Sequence, residues 1–154
     1  MIRYQKINPI QNNRLPKTPV RANPSDAGLD VFYADVEDRI IEPGQAVQLG
    51  TGLRFEIPHG YMLQVCNRSS MGAKKSLIVG AHIIDSGYSG EVFIDLHNIG
   101  TENQVVRYGD KIAQLVMIPV VSFIPVEVNP EIDLYSDPVT ISNRGEGALG
   151  STGG

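Results

Sequence analysis

The stretch EVFIDLHNIGTENQVVRYGDKIAQLVMIP, residues 91–119, decides the fold class. Val92, Ile94 and Leu96 alternate with other residues, which makes residues 91–97 a strand with two distinct faces. Tyr108-Gly109-Asp110 then turns the chain into residues 111–119, where Ile112, Leu115, Val116 and Ile118 carry the apolar signal. The same grammar extends outward on both sides. Residues 29–34 form an aliphatic and aromatic run closed by Asp35, and Pro43-Gly44 marks a turn. Residues 46–49 and 53–57 follow, stopped by Pro58-His59-Gly60, and then 61–66. Residues 120–128 are β-branched and broken by Pro125. Short runs at this spacing predict a sandwich or barrel rather than βαβ units. One short helix is expected from Ser69 or Ser70 to about Lys75, because serine is a good N-cap.

A chain of 154 residues fits one domain with a real core. Hydrophobic residues make up 42% and charged residues 19%, a globular composition. The 16 glycines and 10 prolines are spread as turn punctuation. A net charge of −4 argues against a nucleic-acid partner, since duplex binders carry basic stripes. It leaves room for a small anion held by local positive groups. The single cysteine, Cys66, excludes an intramolecular disulfide and reads as a small buried hydrophobe in a reducing compartment. No signal peptide or membrane span is recognised, so a cytoplasmic protein is expected. Residues 1–142 are expected to form the β domain. Residues 143–154 hold five glycines and little apolar bulk, and are expected to be a tail ordered only by a ligand or a neighbouring subunit.

Four constellations could carry chemistry. Arg68-Ser69-Ser70 combines a guanidinium and two hydroxyls where a strand gives way to a helix, an arrangement suited to an anion. It is equally an ordinary helix start beside a surface arginine. Asp85-Ser86-Gly87-Tyr88 sits at a tight corner before a strand. An aspartate there can orient and deprotonate a water, or it can merely stabilise its own turn. Gln114 lies inside a hydrophobic strand, either as the wall of a polar pocket or on a solvent face. The tail residues Arg144, Gly150, Ser151 and Thr152 pair backbone freedom with donors, as a phosphate clamp requires, or as a loose terminus allows. His59, His82 and His97 lack metal-ligand spacing and read as structural or surface residues.

Taken in order, these pieces resemble the five motifs of the trimeric dUTPase family. The first resembles Asp26-Ala27-Gly28-Leu29-Asp30. The second runs from Pro43-Gly44 through Thr51-Gly52 and Ile57-Pro58-His59-Gly60-Tyr61 to Arg68-Ser69-Ser70. The third covers residues 84–92, the fourth residues 109–115, and the fifth the tail 144–153. Each is modest alone, whereas five in order are specific. The resemblance implies an all-β, jelly-roll-like (β-clip) fold with one short helix. It also implies a homotrimer whose active sites are shared between subunits, and hydrolysis of dUTP to dUMP and pyrophosphate with Mg2+. In that frame Asp85 would activate the attacking water and Tyr88 would pack under the deoxyribose, excluding a 2′-hydroxyl. Arg68, Ser69, Ser70 and Gln114 would serve the phosphates. Asp30 would support the magnesium hydration shell through water. Arg144 would clamp the γ-phosphate, with Gly150, Ser151 and Thr152 alongside.

The tail departs from the family pattern at Leu149, where an aromatic usually stacks on the uracil, and at Ala148, where glycine is usual. The segment from Arg68 to Asp85 also lacks the asparagine often found before the motif-three aspartate. Residues 81–90 resemble the related dCTP deaminases as well. Their proton-shuttling glutamate would correspond to Asp95, one methylene shorter. Deamination of dCTP, alone or joined to dUTP hydrolysis, is therefore the alternative. A non-catalytic dUTP-binding regulatory module is the third reading.

Overall fold

Alternation of buried and exposed side chains builds nearly every element of the computed structural model, which describes residues 1–7 and 15–135. In chain order the elements are β1 (Arg3–Lys6), β2 (Leu29–Phe32), β3 (Arg39–Ile41), β4 (Ala46–Gly50), β5 (Leu53–Glu56) and β6 (Tyr61–Cys66). They continue with α1 (Ser69–Lys75), β7 (Leu77–Val79), β8 (Ile83–Ile84), β9 (Phe93–Asn98), β10 (Gln104–Val106) and β11 (Lys111–Pro119). A four-stranded sheet runs β2-β11-β6-β8 and a three-stranded sheet runs β4-β9-β7. Two ribbons, β1-β5 and β3-β10, complete the set. The pairings are antiparallel. All of these elements lie in one unit, Met1–Ser122, and a second unit begins at Phe123.

One core joins the sheets. Leu63, Val65 and Leu115 come from the four-stranded sheet, and Leu49, Ile94 and Leu96 from the three-stranded one. Leu53, Ile41 and Val106 add the ribbons to the same cluster. This is the expected all-β, jelly-roll-like architecture with its single short helix. Removal of this apolar surface from water, at roughly 25 cal/mol per Å2, is the main force holding the sheets face to face.

A buried polar knot fastens the end of β9. Asn98 is 1% exposed, yet all its side-chain valences are met. Its Nδ2 donates to the carbonyls of Ile41 (2.9 Å) and Glu102 (2.8 Å), and its Oδ1 accepts from Gly100 N–H at 2.9 Å. One side chain thus ties β3, β9 and the following turn.

Three local expectations are corrected. The helix spans Ser69–Lys75, but Arg68 occupies the N-cap position and no side chain caps it; Ser70 Oγ instead accepts from Arg68 Nη1. The helix closes at Ser76, whose left-handed φ of 52° lets its N–H reach the Gly72 carbonyl. Cys66 is half-buried rather than buried, because Leu63 and Val65 take the inward face of β6 and leave Cys66 the outward one. The β-branched run 120–128 adds no strand among the described residues, since β11 ends at Pro119 and Pro125 interrupts the run.

Candidate functional site

Strands β2, β11 and β6 bring three of the sequence-derived candidates onto one outward face. Register pairs Asp30 with Gln114, and Gln114 in turn with Cys66, two residues before Arg68. Asp30 is buried at 8% exposure. Its Oδ1 accepts from Arg68 Nε at 2.7 Å and its Oδ2 from Lys111 Nζ, also at 2.7 Å. Arg68 Nη1 reaches Ser70 Oγ at 3.2 Å. Two cations and one carboxylate leave the cluster at +1, so it suits an anion in a chain whose net charge is −4. Ser69 is exposed at the start of the helix.

Gln114 stands beside this cluster, half-buried. Its Nε2 donates to the Asn67 carbonyl at 2.9 Å, and Asn67 Oδ1 receives the Val79 N–H at 2.6 Å. The first motif makes room for it: a Cβ on Gly28 would fall 2.5 Å from Gln114 Oε1 and 3.0 Å from its Cβ. Gly28 is therefore glycine for the space that Gln114 fills.

Lys111 was absent from the sequence-derived candidates. Pairing between β11 and β2 shifts between Lys111 and Ala113, so Ile112 is the extra residue of a β-bulge. Without that shift Lys111 and Gln114, three apart, would face opposite sides. With it, Ile112 and Ala113 are both buried and Lys111 points outward with Gln114. Its Nζ lies 6.0 Å from the centre of the Phe32 ring. Two adjacent buried residues just after the Gly109-Asp110 turn were the available signal for the bulge.

Asp85 and Tyr88 lie elsewhere, in the turn between β8 and β9. Asp85 is exposed at the end of β8, and its carbonyl accepts the Tyr88 N–H at 3.1 Å. The Tyr88 hydroxyl donates to the Glu91 carbonyl at 2.7 Å, drawing the ring across Gly90, where a Cβ would come within 2.6 Å of that hydroxyl. Asp85 and Tyr88 line a cleft of about 290 Å3 together with Gln48, Ile84 and Phe93. Tyr88 with Ser86 also borders a larger cleft, of about 580 Å3, beside Arg3 and Arg54. Neither cleft is lined by Arg68, Ser70 or Gln114.

Asp95 shares a sheet face with its register partner Gln48 and with Phe93, both of which line the smaller cleft, though Asp95 itself does not line it. Its Oδ2 lies 3.0 Å from His97 Nε2, and both side chains cover Gly80, where a Cβ would come within 2.4 Å of Asp95 Oδ2. Among the described residues no group of three or more His, Cys, Asp or Glu could hold a metal ion. Arg144, Leu149, Gly150, Ser151 and Thr152 lie outside the described residues.

Comparison with known proteins fits this arrangement. The dUTPase family model matches residues 16–153. The deoxyuridine 5′-triphosphate nucleotidohydrolase of Desulfitobacterium hafniense is 39% identical over 152 residues, covering 96% of this chain and 95% of that protein. Among solved structures, a Staphylococcus bacteriophage 80alpha dUTPase variant with dUpNHpp superposes with a TM-score of 0.79 at 24% identity, covering 99% and 98% of the two chains. A dUTPase variant from phage phi11 of S. aureus, described with a structural Mg(II) ion, superposes with a TM-score of 0.73 at 24% identity, covering 83% and 96%. Jelly-roll-like sheets with one short helix and the five ordered motifs define the class of dUTPase-fold proteins. Within that class, the chain belongs to the dUTPase family.

Proposed function

We propose that this protein hydrolyses dUTP to dUMP and pyrophosphate, as a dUTP diphosphatase that takes its substrate as the magnesium complex. The match to the dUTPase family over residues 16–153 carries this reading. The +1 cluster of Asp30, Arg68 and Lys111 beside Gln114 supports it as a phosphate-binding face. Asp85 accepts a proton from a water whose oxygen attacks the α-phosphorus. The bond from that phosphorus to the bridging oxygen breaks, and pyrophosphate leaves. Tyr88, held by its own hydrogen bond to Glu91, stands under the deoxyribose and leaves no room for a 2′-hydroxyl. Arg68, Ser69, Ser70 and Gln114 receive phosphate oxygens. Arg144, Gly150, Ser151 and Thr152 close on the γ end, with Leu149 near the base.

Magnesium supplies charge neutralisation to the triphosphate. Both oxygens of Asp30 already hold cations, and the described residues contain no cluster of three metal ligands. The metal would be held mainly by phosphate oxygens and water, with Asp30 supporting its hydration shell.

The active unit is a homotrimer. Arg68 does not line the cleft that Asp85 borders, and a site completed by a neighbouring subunit would join the two groups. Val121 and Phe123, 87% and 84% exposed, supply apolar surface that such an assembly would cover.

The deaminase alternative needs a carboxylate aimed at the base. Asp95 is instead engaged by His97, 3.0 Å away, which favours hydrolysis. Incubation with magnesium and, separately, dUTP, dCTP, dTTP and UTP tests the reading. We expect dUMP and pyrophosphate from dUTP alone. Uracil nucleotides from dCTP would establish the deaminase, and no turnover would leave a dUTP-binding module.

A further inference from the structure

We propose that Lys111 is a positioning residue that keeps the outer edge of the Arg68 guanidinium open to the triphosphate. The inference rests on the reading of Arg68 as a phosphate ligand and deepens it.

Left to themselves, an arginine and a carboxylate pair side by side, through two parallel N–H···O bonds. In that arrangement Asp30 would engage Nη as well as Nε and draw the fork inward. Here Lys111 Nζ holds Asp30 Oδ2 at 2.7 Å. Arg68 is left with Oδ1 alone, reached by Nε at 2.7 Å. Nη1, on the far side of the fork, donates to Ser70 Oγ at 3.2 Å, and Nη2, the nitrogen that a side-by-side pair would use, bonds no described residue.

The β-bulge makes this possible. It is the register shift between Lys111 and Ala113 that brings the ammonium to the face of Asp30. The burial of Asp30 sharpens the effect, because a shielded carboxylate is not free to turn to water for a second partner. Lys111 thus acts on the phosphates through Asp30 and Arg68. Asp30 is in the same sense a positioning residue.

The test is steady-state turnover of dUTP, with calorimetric binding of a non-hydrolysable dUTP analogue. The proteins compared are the native chain, Lys111→Met, Lys111→Arg, Asp30→Asn and the double variant Asp30→Asn/Lys111→Met. Methionine keeps the length and apolar stem of lysine without its charge. We expect Lys111→Met to raise KM and weaken analogue binding about tenfold, the scale of one charge-assisted hydrogen bond, with kcat held within about twofold. Lys111→Arg restores most of the loss. In the Asp30→Asn background, which has no carboxylate to collapse onto Arg68, Lys111→Met has no further effect on KM. A full additional loss in that background would overturn the proposal, because Lys111 would then act on the nucleotide directly. An unchanged KM in Lys111→Met alone would also overturn it. Melting temperature and oligomer mass, measured alongside, separate either result from misfolding. A native chain inert toward dUTP would instead defeat the underlying reading of the site.

Discussion

At the residue scale, function depends on a few side chains whose neighbours restrict them. Asp85 is exposed on a turn, and its proposed work requires only its charge. Asp85→Asn is expected to remove turnover while binding of a non-hydrolysable dUTP analogue persists; turnover at the native rate would exclude Asp85 as the base. Gly28 tests the opposite kind of residue, one defined by absence. A methyl group there meets Gln114 Oε1 at 2.5 Å, so Gly28→Ala should displace the glutamine and lower kcat/KM about tenfold, the cost of one hydrogen bond to a charged group. Equal loss in Gln114→Ala, with no additivity in the double variant, would locate the effect in that contact. At Leu149 the family's stacking aromatic is missing. Leu149→Phe is expected to tighten nucleotide binding by roughly 1 kcal/mol, the lower end of aromatic–base stacking. A weaker affinity would mean that the tail closes with a different residue on the base.

At the element scale, β9 and β11 carry both the core and the site. Their inward residues Ile94 and Leu96 follow the alternation read from the sequence, and Ile112 and Leu115 belong to the apolar signal read for residues 111–119. Their special features lie where alternation fails. Asn98 breaks the pattern as a buried amide tying β3 to the end of β9. Asn98→Ala strands two carbonyls and an N–H. It should destabilise the fold by about 2–4 kcal/mol, on the scale of leaving buried polar groups unpaired. Thermal or urea unfolding measures this directly, and a change below about 0.5 kcal/mol would show that water replaces the side chain without loss. The longer strands β6 and β11 were legible to their last residue, being apolar runs entered from the turns Pro58-His59-Gly60 and Tyr108-Gly109-Asp110. Strands β1, β3, β7, β8 and β10 were not. They have two to four residues, too few for a period, and their partners lie far along the chain.

At the scale of the whole molecule, the cleft that Asp85 lines does not include Arg68, and residues 120–128 add no strand among the described residues. The proposed homotrimer would reconcile these observations. Replacing Phe123 by Asp places a charge at 84% exposed apolar surface, where it costs a single chain little. In a trimer that covers this surface, the buried charge should shift the mass toward monomer and reduce turnover in parallel. A trimer that forms and turns over normally would exclude Phe123 from the contact. Removing residues 143–154 is expected to do the reverse, lowering turnover while the oligomer mass stays at three chains. Dissociation would instead make that segment part of the assembly.

The sequence by itself determined the β class, the single helix, the main turns and the family. These are written in signals a few residues long: alternation, glycine and proline punctuation, and motifs in order. It also brought Arg68, Asp30 and Gln114 forward as candidates, though not their relation to one another. Only the tertiary structure decided that Asp30 is shared between Arg68, 38 positions away, and Lys111, that Gly28 is shaped to Gln114, and that Asp95 turns to His97. The reason is physical. Hydrophobic period is a property of neighbouring residues, whereas an ion pair or a steric fit is set by strand register. A one-residue bulge in β11 is enough to carry Lys111 from one face of a sheet to the other.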